Sequence, residues 1–299
     1  MDNWRILDLT GFEGNIGYKR GRLVICHSDG EERHVSLTDI GTLLIGLRTS
    51  ISGAVLQELA AFDVVTLICD WRGVPTGAMY GWRDHSRVGA RHLAQAEASL
   101  PRIKNAWGRI ISAKVHGQAT NLKLVGDQDW HQLDRLSRSV RSGDPENIEA
   151  LAARIYWRRV FAAPLGRWPG SGIERNGLLD YGYTVLRGHA VRAVLSAGLS
   201  PSLGLFHRGR SNFFNLADDL MEPFRPAVDW VVRGLDEGMS PDHPAVKHAL
   251  VRASTQAFSP DGSTVSTCLT NLAQQLGRYF ERDIDRLPVP AWDGPQRGD

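Results

Sequence analysis

Residues 22–37 read RLVICHSDGEERHVSL, and this stretch sets the character of the N-terminal part of the chain. Two runs of β-branched and alternating apolar residues flank the pair Asp29-Gly30, which is a strong signal for a β-hairpin. Similar short runs, separated by turn residues, continue on both sides. They predict further strands over Arg5–Leu9, Asn15–Lys19, Thr42–Ile45 and Val64–Cys69, and a short amphipathic helix over Ile51–Phe62. Residues 1–80 are therefore expected to form a small β-rich domain.

The pattern becomes helical after Gly81. Ile103–Leu124 repeats apolar residues at the spacing of one helix face. Asp144 and Pro145 have the residue types of an N-cap and a first helical position, which predicts a helix through Glu146–Phe161. A further helix is predicted over Leu178–Ala197, with Gly198 just beyond its end.

These patterns predict an α+β fold in which a β-rich domain is followed by a larger all-helical domain. The expected divisions are a β-rich domain over 1–80, a linker with the first helix over 81–100, a helical domain over 101–286, and an extended or disordered tail over 287–299.

Composition narrows the functional classes. The 299 residues carry 35 basic and 33 acidic side chains, so the net charge of +2 points to no partner. Three widely spaced cysteines without a CxxC pair argue against a disulfide scaffold or zinc ribbon and suit a reducing compartment. No leader-like or membrane-spanning apolar run is present, so we expect a cytoplasmic protein. Thirty of the basic residues are arginines, which is explained either by phosphate binding or by GC-rich codon usage.

The most informative segment is Ser200–Pro226, SPSLGLFHRGRSNFFNLADDLMEPFRP. His207 lies in a loop before a helix that is predicted to begin near Ser211 or Asn212. A histidine in such a loop is either a surface residue or a ligand, and the segment alone leaves both interpretations open.

Three carboxylates follow on that predicted helix. Asp219 and Glu222 are three residues apart, and Asp218 and Glu222 are four apart, so both pairs are neighbours on one helix face. Because like charges at this spacing destabilise a helix, the pattern indicates a cation among them. A divalent metal ion and the guanidinium of Arg225 are the two candidates.

Glu149 lies one turn into the predicted helix over Glu146–Phe161. Small residues at Ala152 and Ala153 share its face and would let a ligand approach, but a solvated first-turn glutamate is the better explanation of the pattern alone. The chain has no Walker loop, GxGxxG, HExxH or GxSxG motif, so ATPases, dehydrogenases, zincins and serine hydrolases lack their usual signatures.

Residues 176–226 carry a recognisable family pattern. Its elements are the YGY of Tyr181–Tyr183, the pair Leu186-Arg187, the GLxPxLGxxH run that ends at His207, and the run DDLMEPFRP. Together they resemble the CRISPR-associated spacer-integration proteins, the Cas-one integrases. The form NxFNLADDLMEPFRP is most similar to the type II branch. IEALAARIYW and WGRIISAKVHGQATNL also resemble segments of that family.

The resemblance implies a divalent-metal site held by Glu149, His207 and Glu222, with Asp219 as a supporting carboxylate. Carboxylates with one imidazole suit Mg²⁺ or Mn²⁺, and the lack of a second histidine or a cysteine argues against zinc. One position departs from the family pattern, because Asp180 stands where relatives often carry asparagine.

The implied activity is that of a DNA integrase and endonuclease, which inserts short DNA fragments into a CRISPR repeat array by attack of a 3′-hydroxyl on a phosphodiester. The implied partners are double-stranded DNA, a second copy of the chain joined through the β-rich domain, a small ferredoxin-like Cas-two protein and the type II effector nuclease. Candidate phosphate contacts are Arg154, Arg158, Arg175 and Arg187.

Two alternatives stay open. One keeps the metal site but makes the protein a structure-selective nuclease on branched DNA. The other is a non-catalytic DNA-binding scaffold in which the acidic residues have no chemical role. Two smaller questions are also open: whether the basic stretch 81–125, with net charge +6, contacts DNA, and whether Tyr181 and Tyr183 stack on bases or belong to the core.

Overall fold

A computed structural model describes residues 5–71, 75–81, 85–161, 166–171, 174–236, 238–240 and 243–296. The chain divides into two compact units, Met1–Ser86 and Arg87–Asp299. The division lies inside segment 81–100, where the sequence predicts a linker.

The N-terminal unit contains two four-stranded sheets. In spatial order, the first is built from β1 (Arg5–Leu9), β5 (Ile40–Ile45), β7 (Val65–Cys69) and β8 (Pro75–Met79). Its first three strands are parallel, and β8 is antiparallel to β7. The second sheet is built from β4 (Glu32–Ser36), β3 (Arg22–His27), β2 (Gly14–Lys19) and β6 (Thr49–Ile51). The predicted hairpin is the β3–β4 pair.

Apolar side chains of both sheets and of helix α1 (Gly53–Ala61) form the core of this unit. Ser52 is the N-cap of α1, and its hydroxyl accepts a hydrogen bond from the amide of Val55. Two strands were not predicted. β6 has only three residues, and β8 lies at a sheet edge and contains Pro75 and Gly77, residue types that weaken a strand pattern.

The second unit is helical, so the α+β expectation is confirmed. Its helices are α2 (Val88–Ala96), α3 (Leu100–Leu124), α4 (Trp130–Ser139), α5 (Ile148–Tyr156), α6 (Glu174–Ser196), α7 (Asn215–Leu220), α8 (Arg225–Arg233), α9 (Pro244–Ala253) and α10 (Val265–Phe280). Helix α3 packs against α4, α5, α7 and α8, and α6 packs against α7, α8, α9 and α10. Within the described part of the chain, no helix has the length and apolar character to span a bilayer.

The predicted start of α5 is wrong. The helix begins at Ile148, after Asn147 in the left-handed conformation, and not at Pro145. The carboxylate of Asp144 nevertheless accepts the amides of Ile148 and Glu149 at 2.8 and 3.0 Å. Asp144 therefore satisfies first-turn amides from a loop that precedes the helix.

The helix predicted from Ser211 is also wrong in its extent. Helix α7 begins at Asn215 and ends at Leu220, and a 3₁₀ turn over Glu222–Phe224 follows it. Pro223 within this turn has no amide hydrogen to continue an α-helical ladder. Glu222 thus lies outside the helix that carries Asp218 and Asp219.

The tail is packed and not disordered over residues 287–296. Leu287 and Trp292 are fully buried, and Trp292 Nε1 donates to Asn121 Oδ1 at 2.9 Å. Residues 297–299 lie outside the described part of the chain. The apolar content of LPVPAW is the signal that this segment covers the helical core.

Candidate metal centre and nucleic-acid site

The centre of the site is an ammonium group between two carboxylates. Lys114 projects from α3, and its Nζ lies 2.6 Å from Glu149 Oε1 and 2.6 Å from Glu222 Oε2. We call Glu149 and Glu222 the carboxylate pair. Helix α5 supplies the first and the 3₁₀ turn supplies the second, so two elements far apart in sequence meet on one cation.

Arg225 is a second cation beside Glu222 and contacts its other carboxylate oxygen. Arg225 Nε donates to Glu222 Oε1 at 2.8 Å, and the same guanidinium lies 4.4 Å from the centre of the Tyr183 ring. Burial alone raises the pKa of Glu222, but the charges of Arg225 and Lys114 outweigh it and lower that pKa to about 2. Glu222 is therefore a carboxylate at any physiological pH. Arg225 is one of the two cations that the sequence analysis considered.

His207 is fixed by Asp219. The fully buried Asp219 carboxylate accepts His207 Nδ1 at 2.6 Å, together with the backbone amides of Leu205, Phe206 and His207. The hydrogen bond to Asp219 raises the pKa of His207 above its usual value. Burial raises the pKa of Asp219, and the hydrogen bond from His207 opposes that rise. With Nδ1 held in this way, Nε2 is the ring nitrogen left for a ligand.

Aromatic rings fix the surroundings of the imidazole. Phe206 stacks on the buried Trp107 with ring centres 4.6 Å apart, and the His207 ring is nearly perpendicular to both. A groove of about 550 Å³ opens beside His207. The exposed Arg208 and Arg210 contribute to the lining of this groove, so the groove offers two basic side chains to a negatively charged polymer.

Asp218 does not join the carboxylate pair. Its two oxygens accept Arg187 Nε and Nη2 at 2.6 and 2.8 Å, and Asn212 Nδ2 donates to it at 2.7 Å. The inference that Asp218, Asp219 and Glu222 share one helix face around one cation is therefore wrong. Asp218 pairs with Arg187 and Asp219 with His207, while Glu222 lies beyond the end of the helix at Leu220 and contacts Lys114 and Arg225.

A buried network lies behind the site. Asp229 accepts the hydroxyls of Tyr156 and Tyr183, and Asn121 Nδ2 donates to the oxygen of Tyr156 at 2.8 Å. Burial raises the pKa of Asp229 to about 6. Tyr183 is buried with its hydroxyl bonded to Asp229, so it belongs to the core and cannot stack on bases.

The four arginines predicted to contact DNA differ in their surroundings. Arg187 forms a bidentate ion pair with Asp218, and Arg175 donates a hydrogen bond to the carbonyl of Val232. Arg154 and Arg158 are exposed on and just after α5, the helix that carries Glu149.

Asp180, the position that departs from the family pattern, has an internal role. It accepts Arg167 Nη2 at 2.6 Å and the amide of Gly170 at 2.9 Å. A carboxylate here pairs with a cation of the preceding loop, which an asparagine would not do.

The residues fit a divalent cation in chemistry and in charge. Two carboxylates and one imidazole nitrogen are suitable donors for Mg²⁺ or Mn²⁺. The carboxylate pair accommodates a cation, since Lys114 lies between its members. Within the described ranges no three His, Cys, Asp or Glu side chains converge closely enough to hold an ion as they stand. A metal would have to take the place of the ammonium.

Sequence reasoning missed Lys114. The signal was available, because Lys114 follows Trp107 and Ile111 at the three- and four-residue spacing of the apolar face of α3. A lysine on a buried helix face requires a negative partner, since burial of an unpaired charge is costly. The partners themselves could not be identified from the sequence.

Comparison with known proteins identifies the family. The family model described as CRISPR associated protein Cas1 matches residues 7–238. A CRISPR-associated endonuclease Cas1 from Neisseria meningitidis serogroup C (strain 8013) is 36% identical over 236 residues, which are 78% of this chain and 76% of that protein. The family assignment made from the sequence is thereby confirmed.

Solved structures share the fold. A casposase bound to integration product superimposes with a TM-score of 0.76 at 21% identity, over 98% of this chain and 94% of that chain. A Cas6-RT-Cas1–Cas2 complex gives 0.75 at 19% identity, over 99% of this chain and 37% of that one. A CAS1 protein from Thermotoga maritima gives 0.72 at 17% identity, over 97% and 100%.

Proposed function

The chain belongs to the Cas1 family of CRISPR-associated proteins, and we propose that it is a divalent-metal-dependent DNA integrase that inserts short DNA fragments into a CRISPR repeat array. The observation that carries the proposal is the carboxylate pair, two acidic residues from separate elements held on one cation. The Cas1 endonuclease from Neisseria and the casposase with its integration product support the same class of chemistry.

The proposed metal ligands are Glu149, Glu222 and His207 through Nε2, and the ion is Mg²⁺ or Mn²⁺. A bound ion would supply positive charge to the phosphate and lower the pKa of the attacking hydroxyl. Asp219 supports the site by fixing the tautomer and the orientation of His207. Arg225 keeps Glu222 ionised and in place.

The proposed reaction is a transesterification. The 3′-hydroxyl of the incoming fragment attacks a phosphodiester of the repeat, so one P–O bond forms as another breaks and the leaving 3′-oxygen takes up a proton. Because the bonds gained and lost are alike, the protein contributes alignment and charge stabilisation. With water as the nucleophile, the same residues would cut DNA without joining it.

The proposed DNA contacts use exposed basic side chains near these residues. Arg154 and Arg158 lie on and just after the helix of Glu149, and Arg208 and Arg210 contribute to the groove beside His207. Contacts of this kind bind phosphate without reading base sequence. Arg175 and Arg187 would contact DNA only by giving up their present partners, the carbonyl of Val232 and the carboxylate of Asp218.

The proposed assembly is a homodimer through the β-rich unit, joined to a small Cas2 protein. The fold shared with 37% of a chain from a Cas6-RT-Cas1–Cas2 complex supports a Cas2 partner. The run NxFNLADDLMEPFRP and the 36% identity to the Neisseria protein support placement in the type II branch, with its effector nuclease as a further partner.

The proposal is tested by strand transfer. The protein, with and without its Cas2 partner, is incubated with a labelled duplex that has free 3′-hydroxyls and a supercoiled plasmid that carries the repeat array. We expect metal-dependent transfer of the label that is abolished by EDTA and by Glu149→Gln, His207→Ala and Glu222→Gln. Glu97→Gln, at an exposed glutamate just after α2 and outside the site, serves as the control variant and should transfer label normally.

Two outcomes would favour the alternatives. Cutting of branched DNA without any joined product would indicate a structure-selective nuclease; the Neisseria relative is named an endonuclease, which favours DNA cleavage in general. Unchanged joining in Glu222→Gln, or binding without joining or cutting, would indicate a scaffold whose acidic side chains serve only their ion pairs.

A further inference from the structure

Lys114 is the most deeply placed charge of the site that the proposed mechanism does not use. Its side chain is 12% exposed, and that of Glu222 is 4% exposed. The ammonium donates a hydrogen bond to Glu149 Oε1. Glu222 Oε2 lies 2.6 Å from the same ammonium and accepts a hydrogen bond from it as well.

Both contacts are short charge-assisted hydrogen bonds from one ammonium, so Lys114 balances the charge of two carboxylates that come from different elements. Electrostatic attraction supplies much of the strength of these contacts, and another cation at the same place could provide it.

We infer that Lys114 is a positioning residue that holds the carboxylate pair together in the metal-free protein and competes with the divalent ion for it. The inference rests on the proposed metal site. A lysine ammonium carries one positive charge on a flexible stem, so it can stabilise two carboxylates and still withdraw.

The two states of the site follow from charge. Without Lys114, Glu149 would lose this ion pair and Glu222 would keep only the one with Arg225, so the two carboxylates would repel each other. Such an arrangement destabilises the folded protein. With Lys114 in place the pair is preorganised, but an incoming ion must first break two short ion pairs. Lys114 thus aligns the carboxylate pair but lowers its affinity for a metal ion.

The competition distinguishes this role from a purely structural one. If Lys114 only holds the fold together, its removal should weaken metal binding or leave it unchanged, because the ligands lose their alignment. If it competes, its removal should tighten binding. The sign of the change in affinity therefore decides between the two roles.

The experiment measures Mn²⁺ binding without DNA, by calorimetry and by the electron paramagnetic resonance signal of free Mn²⁺. Lys114→Met removes the charge and keeps the length of the side chain, and Lys123→Met is the matched control on α3. We expect Lys114→Met to bind Mn²⁺ about tenfold tighter or more, because removing one partner of a buried ion pair leaves an unsatisfied charge. Lys123→Met should bind like the wild type.

Thermal unfolding provides a second readout. Lys114→Met should melt below the wild type without metal, and saturating Mn²⁺ should raise its melting temperature by more than that of the wild type. If Lys114→Met does not fold, Lys114→Gln replaces it, since its amide can still bridge the pair without a positive charge. The same direction of change is expected.

The possible failures are distinct. Equal or weaker Mn²⁺ binding in the Lys114 variants, with wild-type binding that Glu222→Gln abolishes, overturns the inference and leaves the proposed metal site intact. Absence of Mn²⁺ binding in both wild type and Lys114 variants overturns the metal site and the inference with it.

Discussion

Nδ1 of His207 lies 2.6 Å from Oδ1 of Asp219, and the other oxygen of that carboxylate accepts the amides of Leu205 and Phe206. The loop and the imidazole are thus tied to one buried group. This arrangement resembles the carboxylate–histidine pairs that orient metal-binding imidazoles. It makes Asp219 the residue that sets which nitrogen of His207 is available.

Asp219→Asn should therefore impair the site without unfolding the protein. The amide cannot accept from Nδ1 and the loop amides as a carboxylate does. We expect Mn²⁺ affinity to fall by about 10- to 100-fold, with a comparable loss of strand transfer. Calorimetry and the strand-transfer assay measure the two effects. Asp218→Asn is the matched control, because Asp218 pairs with Arg187 and is not among the proposed ligands. Equal losses in both variants would contradict the role proposed for Asp219.

Gly204 should tolerate no side chain. A Cβ built there would lie 2.3 Å from the carbonyl oxygen of His207 and 2.8 Å from Asp219 Oδ2. Gly204→Ala must therefore displace His207 or Asp219, and we expect loss of strand transfer together with weaker Mn²⁺ binding. Gly89→Ala meets no atom within 4 Å and is the control. Full activity in Gly204→Ala would show that the loop does not need this geometry.

The sequence predicted which residues we propose as ligands but not how those residues are arranged. Glu149, His207, Asp219 and Glu222 were predicted from the family resemblance, and most strands and helices followed from apolar periodicity. Two helix termini were misplaced. The end of α7 at Leu220 depends on Pro223, and the start of α5 at Ile148 depends on the carboxylate of Asp144, which accepts first-turn amides from the preceding loop. Ion-pair partners are set by tertiary packing, which local patterns do not encode.

Asp229 should make stability depend on pH. Burial raises its pKa from 3.8 to about 6 in the folded protein, opposed by hydrogen bonds from Tyr183 and Tyr156 and by the charges of Arg225 and Lys114. Because the folded protein holds the proton more tightly than the unfolded chain, protonation of Asp229 stabilises the fold. This stabilisation is fully present below about pH 4 and is lost as the pH rises through the folded-state pKa of about 6.

Asp229→Asn cannot ionise and should lack this dependence. We expect the free energy of unfolding of the wild type, relative to the variant, to fall by ~1.4 kcal/mol per pH unit across this window. Urea unfolding at several pH values between 4 and 7 measures the difference. A constant difference over that range would show that Asp229 does not titrate in the window.

Trp292 should anchor the C-terminal segment. Its ring is fully buried beside Phe258, and its Nε1 donates to Asn121, the residue that also bonds to Tyr156. Trp292→Ala should lower the free energy of unfolding by ~3–5 kcal/mol. Trp168→Ala, at a position that is 70% exposed, should change it by less than ~0.5 kcal/mol. Equal stability of the two variants would mean that the segment does not hold the core.

Two kinds of arginine lie near the site: exposed ones that we expect to contact phosphate, and ones that pair with a side chain of the protein itself. Arg154 and Arg158 are exposed, so Arg154→Gln and Arg158→Gln should each weaken DNA binding across all sequences and reduce the slope of log affinity against log salt by about 1. Arg187→Gln should instead lower stability, because it leaves Asp218 without its bidentate partner. Fluorescence anisotropy over a salt series and thermal unfolding give both quantities for each variant. If Arg187→Gln changes the salt slope while Arg154→Gln and Arg158→Gln do not, DNA binds the face of Arg187, and the ion pair with Asp218 opens when it does.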